Sequence, residues 1–515
     1  MLRLLPLPNS ETYMSSRARM IAAAASFIIY ASAVMVLQQY RDNFFYCERV
    51  GLAAGVSYVV YRAPLGEVYP AVEAQLLDFG ALAELVLDKA IRLGSAPGDP
   101  QTAMNDGTGI GFIVAASWAM HLFGPHLISL PLFTLGLMAI SAATFLWRFR
   151  DSRSAVVTVT FFSLTLMLCT PLVSDPGIAA QIPIGGMRYF SLLAILPAFH
   201  LGLELTDGQG QTRGVRGLNV SLLAVQVVLL VLAILVRGNA VFLVGPILLL
   251  GLVKVWRNRS NRDELRPLRR KAIVIAVVGA VFVASLLVVL PSRYGRDGRL
   301  TSNFWHRTVI SLGINPAWPF GNLREIYDCK RGGIPEGMVA GTVDRNGHCI
   351  WWDYLVTHNI PTDVAIPELY GRRYETVMRE AFFNIAYLYP HEVLATFFYY
   401  KPEWLAQSMK SLALNPAAHS PILEVLVIAG LVNCLVFLVI PANFSTRSMM
   451  LRLTGLGALF GIFSIPSYLI AWATPHTAAD LLFYCLLCIG LGLSAVIRLM
   501  RAAVVRIASV ADASA

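Results

Sequence analysis

From Val220 to Val236 the chain runs for 17 residues without a charge. A helix of that composition has no polar face to give to water, so it is surrounded by protein or by lipid. The pattern recurs. Apolar stretches at 20–38, 127–147, 154–173, 188–205, 218–236, 238–254, 272–290, 421–440, 453–471 and 479–497 approach or reach the ~20 residues that cross a hydrocarbon core of about 30 Å. Only 14% of the residues are charged, against the roughly 25% of a soluble chain. The expected fold is therefore an all-α polytopic membrane protein of about ten transmembrane helices.

The bases set its topology. Arg3, Arg17 and Arg19, then Arg148, Arg150 and Arg153, then Arg213 and Arg216, occupy alternate short segments. The run from Lys254 to Lys271 holds eight more, Arg447 and Arg452 follow, and the tail carries Arg498, Arg501 and Arg506. Positive-inside asymmetry places these segments, and both termini, in the cytoplasm. The net charge of +10 is thereby accounted for without a nucleic-acid partner. The first span reads as a retained signal-anchor, with no convincing small-residue cleavage site. Three parts follow: an N-terminal module at 1–290 with a first outer loop at 39–126, a large outer loop at 291–420, and C-terminal spans with a tail at 421–515. Residues 108–123 are apolar but short. Counted as a span, they would turn every later Arg-rich loop outward, so they read as a juxtamembrane or re-entrant helix.

The first outer loop concentrates acids: Asp42, Glu48, Glu67, Glu73, Asp78, Glu84, Asp88, Asp99 and Asp106. Its middle, Val72 to Leu93, has helical periodicity. Val72, Leu76, Phe79, Ala83, Val86, Ala90 and Leu93 share one face, and Glu73, Asp78, Glu84, Asp88, Lys89 and Arg92 the other. Such a helix lies on a membrane surface with its acids in water. The second outer loop adds Asp175 and closes on Arg188. Arg237 interrupts an apolar stretch, where an ionisable group costs about 2–3 kcal/mol unless it snorkels or is paired; it reads as an interfacial cation.

The large outer loop is aromatic and polar. Trp305 and His306 stand together and point to acceptor contacts or a general base, set against an ordinary structural His. Helix is expected from about Glu368 to Leu388 and again after Pro390. Tyr399-Tyr400-Lys401-Pro402-Glu403-Trp404 has the make-up of a segment resting on headgroups. Cys329 and Cys349 fall in a Gly-rich part of this loop and are expected to form a disulfide, worth roughly 3 kcal/mol in a loop of this size. Cys485 and Cys488 read as small hydrophobes packed in a span.

Gly107-Thr-Gly109-Ile-Gly111 follows no strand and lacks the P-loop Lys, so it is no nucleotide loop. No zinc spacing and no nucleophile elbow occur. What remains is carboxylates and interfacial bases. That set suits glycosyl transfer from a lipid phosphate, with a carboxylate deprotonating the acceptor and Arg holding the departing phosphate. A joiner of lipid-linked glycans, relying on His306 and loop Arg, and a transporter or scaffold are the alternatives. The residues demand no cofactor, and a divalent cation is compatible with the acids.

The segments Leu76-Leu-Asp78-Phe-Gly, Asn105-Asp106-Gly and Leu122-Phe-Gly124, followed by Val236-Arg237-Gly-Asn and a large outer loop before the last spans, resemble the polyprenyl-phosphate-dependent membrane glycosyltransferases of GT-C type. That group contains protein O-mannosyltransferases and aminoarabinose transferases. The resemblance implies a polyprenyl-phosphate sugar donor, a glycan, lipid or protein acceptor, and a site at the periplasmic face of a bacterial cell membrane. It also implies a first-loop acid as base, which by position is Asp78 or Asp106 with Asp42 a third candidate. Asp175 is the supporting acid, and Arg237 and Arg188 are the phosphate ligands. Where many relatives carry a Pro-Pro or Pro-Gly before the juxtamembrane helix, this chain has Asp106-Gly-Thr-Gly.

Overall fold

The computed structural model describes residues 28, 110–124, 129–149, 158–159, 162–163, 165–166, 189–206, 216–289, 304–318, 345–362, 371–404, 406–407, 445–470, 483–489, 492 and 500. Of these, 92% are helical and none is in a strand. In chain order the helices are α1 (Ile110–Phe123), α2 (Ser129–Arg148), α3 (Ile195–Thr206), α4 (Arg216–Val236), α5 (Val244–Arg257), α6 (Arg262–Val289), α7 (Phe304–Ser311), α8 (Arg345–Thr357), α9 (Arg372–Leu388), α10 (Pro390–Ala395) and α11 (Ser445–Ile470). Short 3-10 turns, Tyr189–Ala194 and Gly238–Leu243, lead into α3 and α5. Three helices, Ser129–Arg148, Asn219–Val236 and Ala240–Arg257, are long and apolar enough to cross a membrane.

Helices α1 to α6, α11 and the segment 483–489 pack as a bundle. Its centre is aromatic: Phe199 meets Phe460 and Phe483 edge-on at 6.0 and 6.2 Å, and Phe460 stacks on Tyr484 at 5.5 Å. A polar link between α2 and α4 crosses the apolar packing. The Gln226 amide donates to Ser141 O at 2.9 Å and Thr144 Oγ1 at 2.6 Å, and Ser141 Oγ donates to Gln226 Oε1. These bonds tie α4 to α2 at mid-height and satisfy groups that lipid would leave unpaired. The outward sides of α5 and α6 expose Leu248, Leu252 and Trp256, and Ile273, Val277 and Val281. A surface this apolar would aggregate in water and is at home against acyl chains.

The expected spans at 127–147, 188–205, 218–236, 238–254, 272–290 and 453–471 fall on these helices. Those at 154–173 and 479–497 are described only in part. Most of 20–38 and all of 421–440 lie outside the described residues. The basic run from Lys254 to Lys271 is not a loop. After a short turn at 258–260 the chain re-enters helix at Arg262, ten residues before the expected span, because Arg, Glu, Leu and Lys are good helix formers. Pro267 removes one backbone bond from that extension.

A second unit is built from the outer-loop helices α7, α8 and α9, followed by α10 and a π turn at Thr396–Tyr400. Val309, Ile350, Trp351, Leu355, Tyr374, Met378 and Ala381 form its core. Helix α7 packs both on this core and on α11, which seats the unit against the bundle. Helix α11 also packs on the Gly238–Leu243 turn that follows α4. Lys271 meets Glu204 low on α6, and Val289 lies 18 residues further along the same helix, about 27 Å at 1.5 Å per residue, so α6 ends far from Glu204.

Candidate functional site

Helix α4 stops at Val236, and Arg237 turns the chain. Its backbone is extended (φ −145°, ψ 106°), its N–H donates to Ala233 O at 2.9 Å, and its own carbonyl accepts from Ala240 N–H at 3.0 Å, opening the next 3-10 turn. The residue is 9% exposed. A guanidinium at the C-terminus of an apolar helix interacts favourably with the last carbonyls. A guanidinium is a forked donor of the kind that binds phosphate.

Helix α1 is laid against this turn at its first residues. A Cβ on Gly111 would stand 2.4 Å from Leu235 C and Val236 N, so only glycine lets the α1 backbone touch the end of α4. The next residue, Phe112, meets Phe190 edge-on at 6.2 Å. At its other end α1 runs into the start of α2, with Ser129 Oγ donating to Gly124 O at 2.6 Å. Both ends of α1 thus lie near the same end of the bundle. Three chain positions converge there: residues 110–112, which follow Asp106; Phe190, which follows Arg188; and Arg237 itself. Asp42, Asp78, Asp106, Asp175 and Arg188 lie outside the described residues.

In the outer-loop unit His306 is buried. Its Nδ1 is 2.6 Å from Tyr374 Oη, and its ring stacks beside His348 at 6.2 Å between centroids. Gly347 makes room for the pair, since a Cβ there would come within 2.8 Å of both His306 Nδ1 and Tyr374 Oη. Glu375 Oε2 accepts from the Trp305 N–H at 2.9 Å and Oε1 from the His306 N–H at 3.4 Å, capping the start of α7 from a neighbouring helix. Burial pushes the Glu375 carboxyl up to about 7, against the opposing pull of those two N–H groups and of Arg307. Trp305 is half-buried and packs on Phe382 and Phe383. The geometry gives His306 and Trp305 a place in the packing of the unit.

Comparison with family models, with curated proteins and with solved structures gives no match. The site must be read from its own residues.

The sequence reading overlooked Glu204. It sits near the end of α3, buried, in an ion pair with Arg148 Nε from α2 and with Lys271 Nζ from α6 at 2.5 Å; Lys271 also donates to Glu204 O at 2.7 Å. His200, one turn earlier on α3, packs edge-on against the rings of Phe145 and Phe149. Glu204 is the one acid in the apolar stretch 188–205. An intramembrane carboxylate calls for a cationic partner, and that was a usable signal. The cluster is at the opposite end from Arg237.

Cys349 is disulfide-bonded; Cys329, its expected partner, lies outside the described residues. Cys485 and Cys488 are thiols, and Cys488 Sγ lies 3.6 Å from Thr454 O. Among the described residues no group of three His, Cys, Asp or Glu could hold a metal ion.

Proposed function

We propose that the protein is a glycosyltransferase that moves a sugar from a polyprenyl-phosphate-linked donor to an acceptor at the non-cytoplasmic face of a bacterial cell membrane. Both termini lie in the cytoplasm, and the outer-loop unit and the Arg237 end face the periplasm. The observation that carries the reading is the packing of Gly111 on Leu235 and Val236 together with Phe112 on Phe190. It gathers the chain segments following Asp106 and Arg188 at the turn that holds Arg237.

A donor of this kind has its tail in lipid and its phosphate at the interface. Arg237 and Arg188 hold that phosphate. A first-loop carboxylate, Asp78 or Asp106, with Asp42 as third candidate, removes the proton from the acceptor hydroxyl. The freed oxygen attacks the anomeric carbon, the bond from that carbon to the phosphate oxygen breaks, and polyprenyl phosphate leaves with its negative charge paired to the guanidinium groups. Configuration at the anomeric carbon inverts. Asp175 supports the site electrostatically. The acceptor is a glycan, lipid or protein, and Trp305 and His306 contribute to its side of the site through the shape of the outer-loop unit.

Transfer of radiolabelled sugar from a polyprenyl-phosphate donor by the reconstituted full chain tests the assignment. The Asp78→Asn/Asp106→Asn double variant is expected to lose transfer by a hundredfold or more, in line with the roughly 10²–10⁴ contributed by a general base. Full activity in that variant would remove both acids from the mechanism.

A further inference from the structure

Helix α9 carries an uneven outer face. Its buried side holds Tyr374, Glu375, Val377, Met378, Ala381 and Ile385. Its exposed side begins polar, with Arg372, Arg373, Thr376, Arg379 and Glu380, and ends mainly apolar, with Phe383, Tyr387 and Leu388 around a single Asn384. Tyr387 is 86% exposed. Beyond Pro390 the chain bends and the same kind of surface continues through Leu394, Phe398 at 70% exposure, Tyr399 and Trp404.

The bend is built to present these groups. Asn315 Nδ2 donates to Thr396 Oγ1 at 3.0 Å and to Glu392 O at 3.3 Å, and Thr396 Oγ1 donates to Glu392 O at 2.7 Å. This pins a π turn at Thr396–Tyr400, an uncommon form that displaces the side chains after it. Phe397 and Lys401 end up inside, the Lys401 ammonium 4.5 Å from the Phe397 ring centre, while Phe398 and Tyr399 face out. The lysine expected among the headgroup contacts is thus turned inward, and the outward surface of the bend is aromatic.

We propose that the elbow from Phe383 to Trp404 is a wedge that inserts into the bilayer interface beside the Arg237 end of the bundle. The occupant of this surface is lipid, for two reasons. The first is the polarity gradient on a single helix face: Arg379 and Tyr387 are eight residues apart, about 12 Å along the axis, which matches the passage from phosphate level to acyl chains. Interfacial Tyr and Trp with nearby Arg have that distribution. The second is continuity. The unit rests on α11, which also packs on the Gly238–Leu243 turn beside Arg237, and the outward flanks of α5 and α6 are themselves apolar. The wedge holds the outer-loop unit down over the bundle end. The inference rests on the membrane placement of the bundle and is independent of sugar transfer.

The test uses p-benzoylphenylalanine in place of Tyr387, of Phe398, or of the exposed Thr376 on the polar half of α9. Each full-length variant is irradiated in nanodiscs of phosphatidylethanolamine and phosphatidylglycerol, and adducts are identified by mass spectrometry. Positions 387 and 398 are expected to yield phospholipid adducts at least tenfold above position 376. Adducts to protein alone at 387 and 398, or lipid adducts no greater than at 376, would overturn the proposal. Loss of transferase activity in any variant would not bear on it, because lipid capture is read directly.

Discussion

Glu375 is a buried carboxyl at the centre of the outer-loop unit. Its carboxyl is pushed up to about 7 by burial, whereas in the unfolded chain it titrates near 4.5. Between those values the folded unit keeps a proton that the unfolded chain has released. The contribution of Glu375 to stability is therefore fully present below about 4.5 and is lost as pH rises through about 7. Glu375→Gln keeps an oxygen to accept the Trp305 N–H and removes the titration. Thermal unfolding of this variant is expected to be flat over that pH range where the wild type falls. Glu375→Ala leaves two N–H groups at the start of α7 without their acceptor and should cost about 1–3 kcal/mol. Glu204 is the matching residue at the other end of the bundle. Its removal strands Arg148 in a buried position, and Glu204→Ala is expected to destabilise the protein by roughly 3–5 kcal/mol, measured by thermal unfolding in detergent. Recovery of most of that loss on adding Arg148→Met would identify the stranded charge as the cause.

At the scale of elements, the contact between α1 and the end of α4 has no slack. Gly111→Ala places a methyl carbon 2.4 Å from backbone atoms of Leu235 and Val236, and backbone cannot rotate away as a side chain can. The variant is expected to shift α1, lowering transfer at least tenfold with a melting temperature only a few degrees lower; unchanged transfer would show that the placement of α1 does not matter to the site. The helices themselves were readable from the sequence, because uncharged runs such as Val220–Val236 admit little else in lipid. What periodicity could not reveal was contact: that Gly111 is a packing position, that Glu204 reaches Arg148 and Lys271, or that His306 closes on Tyr374. These pairs are 56 to 125 residues apart, and nothing in local composition selects them. Lys401 was misjudged in direction for a related reason, since a π turn fixed by Asn315, 81 residues earlier, rotates it inward.

The bundle of the whole molecule has two unlike ends. One end holds Arg148, Glu204 and Lys271; the other gathers α1, the Tyr189–Ala194 turn and Arg237. The disulfide at Cys349 belongs to the outer-loop unit and agrees with an oxidising compartment on its side. Arg237→Ala is expected to weaken donor binding by about tenfold to a hundredfold, the ~1.5–3 kcal/mol of a hydrogen bond to a charged group, with binding of a neutral polyprenol unchanged. The most direct measurement is photolabelling of the full chain in native membranes by a polyprenyl-phosphate analogue bearing a diazirine beside the phosphate, followed by peptide mapping. The account predicts adducts within 105–112, 188–190 and 235–240 that unlabelled polyprenyl phosphate competes away. Competed adducts confined to the opposite end, around 148, 204 and 271, or to 304–404, would contradict it.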